Sequence, residues 1–517
     1  MTTSAIELAE PTMLGWLTDY GLDAEYVRSS GNTLFAKRAD GSERPVLDLA
    51  GGYGSVLLGH NNPDLVALAR ELFEQQTPIH AQFSRHPYAN ELVNRLNTVL
   101  HREFGVSEPY YGVFANSGAE AIEAAVKHAE LDRVLKVQAA VDAVEESLSR
   151  AREAVAGGAT VAEDAYRAVG VPVGDFEALA AELSRVTAEK AARQPVFLAL
   201  ESGFHGKLVG SIQLTHNPVY RTPFTALARP SRFVAFNQPG AVRKILDEER
   251  VQLTELVVEG GVVRPVEREL PVVTAFLLEP IQGEGGIQEV SAEFAREIAT
   301  ACEEAGVPVV IDEIQSGMGR SGAFFASSQI GLRGDYYALS KSLGGGVAKA
   351  AVMLVREKFY RGDFELVHSS TFAKDSFSCT IALKALDLLE ADGGRAYRQA
   401  SELGAKLKAV LESIRSDHPD LVKDVRGRGL MLGLEFHDQS ANPIPAVSEQ
   451  AKAGMLGYAL AGYLLREHAI RIFPTASATN TLRFEPSIFL TDAEIAQVEA
   501  GLRAAIAVLR DPSKRLV

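Results

Sequence analysis

Cysteine is nearly absent from this chain. Cys302 and Cys379 are the only two in 517 residues, too few for a disulfide framework. They read as buried thiols of a protein kept in a reducing cytoplasm. Positive charge is also short. Lys and Arg total 52 against 67 Asp and Glu, for a net charge of −15. Such a surface argues against broad binding to nucleic acid or anionic membranes, because both partners are negative. No apolar run is long enough to span a bilayer. Met1 to Glu10 lacks a basic stretch followed by an apolar one, so it does not read as a secretory signal. His-Glu-x-x-His does not occur, and His80 and His86, six apart, read as ordinary surface or core histidines.

What is present is an ordinary globular composition, with 46% hydrophobic and 23% charged residues. The length predicts more than one domain. Gly51, Gly52, Gly54 and Gly59 punctuate a turn-rich stretch, and Asn62-Pro63-Asp64 then opens a helix. Val196–Leu200, Val272–Leu278 and Val307–Ile311 read as buried strands, with Pro308 near the start of the third. Helical segments such as Ala292–Ala305 lie between them. The alternation predicts a parallel sheet covered on both faces. From Ser376 long helices with few strands read as a second, smaller α/β domain.

Residues 130 to about 193 interrupt this pattern. Val134, Val137, Val141, Val144, Leu148, Ala151 and Val155 fall alternately three and four apart, predicting one apolar seam on one helix. Gly157-Gly158 breaks it, and Phe176, Leu179, Leu183 and Val186 mark a second helix. The expectation is a helical hairpin projecting from the sheet domain and packing on its own body. A lid or a partner-docking arm is the alternative, because long insertions are often functional.

Four elements carry chemistry. The third strand ends in Asp312-Glu313, at the sheet edge where open α/β folds bind ligands. Alone, that acid could be a helix cap. Tyr336 to Leu339 leads into Ser340-Lys341 and the glycines Gly344, Gly345 and Gly346. A desolvated lysine there becomes a nucleophile towards carbonyls; a surface loop lysine is the plain alternative. Asn116-Ser117-Gly118-Ala119-Glu120 opens a helix whose free amides can bind phosphate, and Ser117 with Glu120 also fits a capping box. Gly203-Phe204-His205-Gly206-Lys207 follows a strand, placing an aromatic able to stack on a flat ring. A phosphate cradle, a carbonyl-reactive lysine, a strand-end acid and a stacking aromatic are together what a pyridoxal phosphate site requires.

The order and surroundings of these elements resemble the class III aminotransferases, the group of the ornithine, acetylornithine, 4-aminobutyrate and putrescine enzymes. The resemblance runs from about Leu47 to Pro486, interrupted by the insertion. It is carried by Gly59-His60-Asn61-Asn62-Pro63, Asn116 to Glu120, Phe204-His205-Gly206, Glu279-Pro280-Ile281-Gln282-Gly283-Glu284, Asp312 to Gly317, Gly319-Arg320-Ser321-Gly322, Ser340-Lys341 and Leu482-Arg483-Phe484. It implies a fold-type I transferase: a large domain (71–375) with a mostly parallel seven-stranded sheet, and a small α/β domain built from both chain ends (1–70 and 376–517). It implies pyridoxal 5′-phosphate as coenzyme, in Schiff base linkage to Lys341. Asp312 would pair with the ring nitrogen, Gln315 with the ring hydroxyl and Phe204 with a ring face. Amides of Ser117, Gly118 and Ala119 would hold the phosphate. His205 and Glu279 fall in the same coenzyme-binding motifs. Thr371 matches a threonine that reaches the phosphate of the neighbouring subunit, which implies a homodimer.

For the substrate, the resemblance assigns Arg483 to the donor α-carboxylate. Glu284 would pair with that arginine when the other substrate lacks a carboxylate, and Tyr53 would contact the substrate. Two departures stand out. Lys207 replaces an arginine of many relatives, and a lysine binds as a point charge, not a planar fork. Ala373-Lys374-Asp375-Ser376 replaces a Gly-Gly-Asn-Pro stretch. Both favour a specialised substrate. The expected donor is glutamate or alanine; the acceptor is an aldehyde or ketone, with a natural-product aldehyde of caerulomycin type suggested by overall resemblance. An aminomutase, racemase or decarboxylase would use a similar site. Gly317-Met318-Gly319-Arg320-Ser321-Gly322 also fits G-x-G-x-x-G, which alone would suggest an NAD-dependent oxidoreductase. Its context is wrong, because five residues separate it from the strand. A coenzyme-binding regulator lacks a helix-turn-helix or basic segment to support it.

Overall fold

A computed structural model describes residues 7–228, 230–511, 513 and 516. The first six residues of the stretch read above for a leader, and parts of the last few of the C-terminal domain, thus lie outside the described residues. The central sheet has seven strands. In spatial order they are Tyr110–Ala115, Ala351–Arg356, Tyr336–Leu339, Val309–Asp312, Val273–Leu278, Val196–Leu200 and Arg232–Val234. Ala351–Arg356 runs antiparallel to both neighbours and the other pairings are parallel. All six residues of Val273–Leu278 are buried, as a strand covered on both faces requires. The parallel strands bring Leu200, Leu278, Asp312 and Leu339 to one edge of the sheet, and the residues after each of them build the site.

The third predicted strand is shifted. It spans Val309–Asp312, so Pro308 precedes it; the Pro308 carbonyl accepts a bond from Phe276 N (3.0 Å). The helix opened by Asn62 spans Pro63–Glu74, with the Asn62 side chain accepting from Asp64 N. The helix predicted at 292 spans Ala292–Glu304.

Strands from both ends of the chain share a sheet. Tyr26–Ser30, Thr33–Lys37 and Glu43–Asp48 form a meander, and Ile470–Arg471 joins it parallel to the third. A second four-stranded sheet orders Val422–Arg428, Met431–Phe436, Thr481–Phe484 and Phe473–Pro474, and carries Arg483.

The insertion is more than a helical hairpin. A single helix, Gly118–Ala156, starts at the site and runs for 39 residues into it. The second helix spans Phe176–Ala191. Both pack on a β-hairpin, Val251–Glu259 and Val262–Leu270, that the sequence reading did not identify. Gly260 and Gly261, both at positive φ, make its two-residue turn. Thr160–Val161 adds a third strand. Buried Ser147 Oγ accepts from Leu256 N (3.1 Å), fastening helix to hairpin. The apolar seam also differs. Ala140, Val144, Leu148 and Ala151 are buried, whereas Val134 is exposed. A straight helix drifts off a seven-residue seam, so the first of the predicted valines turns away from the hairpin.

Candidate active site

The helix N-terminus that begins at Gly118 is open. Ser117 Oγ accepts from Glu120 N (3.3 Å). The other half of the predicted capping box is missing, because Glu120 Oε2 instead takes Asn116 N (2.6 Å) and Asn116 Nδ2 (3.1 Å). The amides of Ser117, Gly118 and Ala119 therefore donate to no described residue, which leaves a cradle for an anion. Two loops close on it. A Cβ at Gly118 would fall 2.8 Å from the Ile314 side chain, and one at Gly206 would fall 2.6 Å from Ala119 Cβ. Only glycine allows these approaches.

Beneath the cradle, at the strand ends, His205 Nδ1 lies 2.9 Å from Asp312 Oδ2, and both residues are buried. Asp312 Oδ1 accepts from Ile314 N (3.1 Å). Burial alone would lower the His205 pKa, but the bond and charge of Asp312, with Glu279, hold it above its ordinary value. Glu279 is pushed up to about 7, chiefly by burial and against the pull of His205. Its oxygens accept from Phe204 N (2.9 Å) and Gly283 N (3.0 Å), fixing the aromatic loop. The Phe204 ring is half-buried and meets Tyr220 edge-on.

Lys341 follows the strand Tyr336–Leu339 with φ at 48°, a left-handed conformation rare for a side-chain residue. Burial draws its pKa down, with Glu485 pulling the other way. Gln315 donates through Nε2 to Glu485 Oε1 (2.8 Å), and a Cβ at Gly283 would sit on its Oε1. Glu485 was not anticipated. Its signal was there: it stands two residues after Arg483 at the end of the fully buried strand Thr481–Phe484. Alternate residues of an extended segment share a face.

Arg483 is buried and pairs through Nη1 with Glu284 Oε1. Glu284 Oε2 also accepts from Ala476 N (2.8 Å). Burial would raise Glu284, but Arg483 outweighs it and holds the carboxyl below its usual range. The Arg483 guanidinium carbon lies 4.7 Å from the Tyr53 ring centroid, and Tyr53 stacks on Phe473. Lys207 is exposed, with Nζ 4.2 Å from the Tyr220 ring centroid. Tyr220 is a second residue absent from the sequence reading. Thr371 is exposed and does not join the group within its own chain; its carbonyl accepts from Gln82 Nε2, and neighbouring Ser370 Oγ accepts from Asn116 Nδ2 (2.7 Å).

The glycine-rich segment 317–322 opens no helix. A 3₁₀ turn, Ala326–Ile330, comes later, and Arg320 is buried, donating to the carbonyls of Leu430, Pro486 and Gly54. A dinucleotide fold needs a helix N-terminus at this point, so the oxidoreductase reading falls.

A mixed α/β sheet with a lysine, an acid and an open helix N-terminus at its carboxyl edge defines the fold-type I class of pyridoxal-phosphate-dependent transferases. The family model for class III aminotransferases matches residues 22–506. The chain belongs to the class III aminotransferases, transaminases whose coenzyme is pyridoxal 5′-phosphate. Solved structures share the fold. The ornithine aminotransferase of Toxoplasma gondii ME49 is 18% identical with a TM-score of 0.66, over 98% of this chain and 96% of that one. The omega transaminase of Pseudomonas jessenii in complex with PMP is 20% identical with a TM-score of 0.69, over 98% and 96%. A transaminase from the marine bacterium Virgibacillus is 17% identical with a TM-score of 0.67, over 94% and 93%.

Proposed function

We propose that this aminotransferase moves an amino group from an amino-acid donor, glutamate or alanine, to an aldehyde or ketone of specialised metabolism, with a caerulomycin-type aldehyde as one candidate. The observation that carries the donor assignment is the buried Arg483–Glu284 pair in the electrostatic reach of Lys341. An arginine whose partner is a side chain can exchange that partner for a substrate carboxylate, so two unlike substrates can share one pocket.

The residues present fit pyridoxal phosphate. The acceptor-free amides of Ser117, Gly118 and Ala119 would hold its phosphate. Phe204 would cover a ring face, Gln315 would meet the ring hydroxyl, and Lys341 would hold the aldehyde carbon. Asp312, fixed by His205, would face the ring nitrogen, and Glu279 would keep the Phe204 loop in place. When bound, the coenzyme supplies a sink for the electron pair left as the substrate carbon loses its proton. Lys341, drawn down by burial, can take that proton as a base and return it. Glu284 either balances Arg483 or yields to the donor carboxylate. Tyr53, packed between Arg483 and Phe473, would shape the substrate side, and Lys207 would offer a point charge at the mouth.

A homodimer is the proposed unit. Leu366, Val367 and Phe372 flank Thr371 and are exposed, as are Phe73 and Phe83. An apolar surface of this kind beside the site fits a second copy, with Thr371 completing the phosphate site of its partner. The sheet shared by Glu43–Asp48 and Ile470–Arg471 supports grouping 1–70 with 376–517 as one small domain beside 71–375. Free, buried Cys302 and Cys379 fit a cytoplasmic protein, and no helix among the described residues is long and apolar enough to cross a membrane.

The competing reading is an aminomutase or racemase on the same fold. The test is to give coenzyme-loaded protein glutamate or alanine without an acceptor. Release of one equivalent of 2-oxoglutarate or pyruvate, and later delivery of nitrogen to an added aldehyde, is the result expected. Return of the donor racemised or rearranged, with no keto acid, would overturn it.

A further inference from the structure

Glu485 is a buried carboxylate at the centre of the site, and nothing above gives it a role. It is fully buried. Its Oε1 accepts from Gln315 Nε2 (2.8 Å), and its backbone N donates to Leu49 O (2.7 Å). Gly54 lies so close that a Cβ there would stand 3.2 Å from Oε1. The side chain is thus boxed in. Its Oε2 lies 3.4 Å from Arg483 Nε and has no aligned hydrogen-bond donor.

The guanidinium of Arg483 has three nitrogens. Nη1 pairs with Glu284, Nε faces Glu485, and Nη2 is buried with no acceptor. A carboxylate binds a guanidinium in a fork on either the Nη1–Nη2 edge or the Nε–Nη2 edge. The two acids differ in freedom. Glu284 reaches Arg483 from the loop after the strand Val273–Leu278 and is held otherwise by Ala476 N, whereas Glu485 is walled in. Arg483 thus stands between two buried glutamates, Glu284 and Glu485.

We propose that Glu485 is a specificity-determining residue, a fixed counter-ion closing the Nε edge of Arg483 so that a substrate carboxylate enters only where Glu284 withdraws. One carboxylate is then exchanged for another, and the pocket returns to balance when the carboxylate-free substrate follows. Without the charge at 485, Glu284 is the one acid among the described residues left paired with Arg483. A substrate carboxylate can then bind on the Nε–Nη2 edge with Glu284 still in place, and the pocket favours carboxylates at both stages.

This inference rests on Arg483 being the carboxylate binder, and the test separates the two. Glutarate, a dicarboxylate with neither an amino nor a keto group, is titrated into the coenzyme-loaded protein by calorimetry. Wild type is compared with Glu485→Gln, with Glu485→Ala as a second charge-free variant, and with Arg483→Lys, which keeps the charge but not the fork. Removing the charge at 485 should tighten glutarate about fivefold or more, and Arg483→Lys should weaken it about tenfold. If Arg483→Lys binds as wild type does, the reading of Arg483 falls. If Arg483→Lys weakens binding but the charge-free variants are unchanged or weaker, Arg483 stands and the role of Glu485 is refuted.

Discussion

His205 Nδ1 and Asp312 Oδ2 stand 2.9 Å apart, each buried. They come from the ends of two strands separated in the sheet by Val273–Leu278. With Ile314 N on its other oxygen, Asp312 is held at both ends of its carboxylate. Its orientation is fixed by these two partners.

Replacing His205 with Ala should therefore loosen the coenzyme without removing any atom assigned to touch it. A hydrogen bond to a charged group contributes about 1.5–3 kcal/mol, so coenzyme affinity should fall about 10- to 100-fold. Coenzyme retained after dialysis, measured against free coenzyme concentration, reports this. His205→Asn should recover part of the loss; equal retention by wild type and His205→Ala would show that Asp312 needs no such support.

Lys341 should be the position of covalent attachment. Borohydride treatment of coenzyme-supplemented protein should fix one equivalent on the peptide containing Lys341, and Lys341→Ala should take up none and lose turnover. Mass spectrometry of the digest locates the label. A label on another lysine would displace Lys341 from the mechanism.

Thr371 can be assigned to its own or to its partner's site by mixing variants. Homodimers of Lys341→Ala and of Thr371→Ala should both be impaired. A heterodimer of the two holds one site with Lys341 and the partner's Thr371 intact, so about half of wild-type activity should return if the residue acts across the interface. If it acts in its own subunit, no activity returns.

Glu313 predicts a pH effect on stability. The carboxyl is buried, accepting from Ser327 N (2.8 Å) and Ser316 Oγ (2.9 Å), and burial pushes it up from 4.5 to about 7. A raised folded-state value means the native state holds the proton more tightly than the unfolded chain. That contribution is complete below pH 4.5 and is lost as pH rises through about 7. Glu313→Gln should flatten this part of the profile, so that wild type loses more Tm than the variant between pH 5 and pH 8. Parallel Tm profiles would show that Glu313 ionises normally.

The insertion should be separable from the chemistry. Its main helix rises about 1.5 Å per residue, which places Val144 roughly 39 Å along the axis from Gly118. That distance speaks against a lid over the pocket of the same chain. Leu183→Ala, in the insertion core, should cost about 2–5 kcal/mol of local stability while leaving kcat and KM unchanged. Hydrogen exchange confined to the insertion reports the first, and steady-state kinetics the second. A large change in KM would bring the insertion back to the pocket.

Local pattern was enough for much of this protein. Apolar runs ending in Asp312, in Ser340-Lys341 and before Phe204 marked strand ends, because a buried strand needs apolar residues throughout and can carry a charge only where it leaves the sheet. Ser117 with Gly118 marked a helix start, because capping and close approach are local demands. The hairpin 251–270 was missed, since it reads as a polar-faced alternation whose buried side is supplied by helices about a hundred residues earlier. The swing of Glu120 towards Asn116, the clasp of His205 on Asp312, and Glu485 beside Arg483 depend on distances between separate segments. A carboxylate becomes a coenzyme anchor, a counter-ion or a cap according to which cation or amide the fold sets beside it, and only the tertiary structure makes that choice.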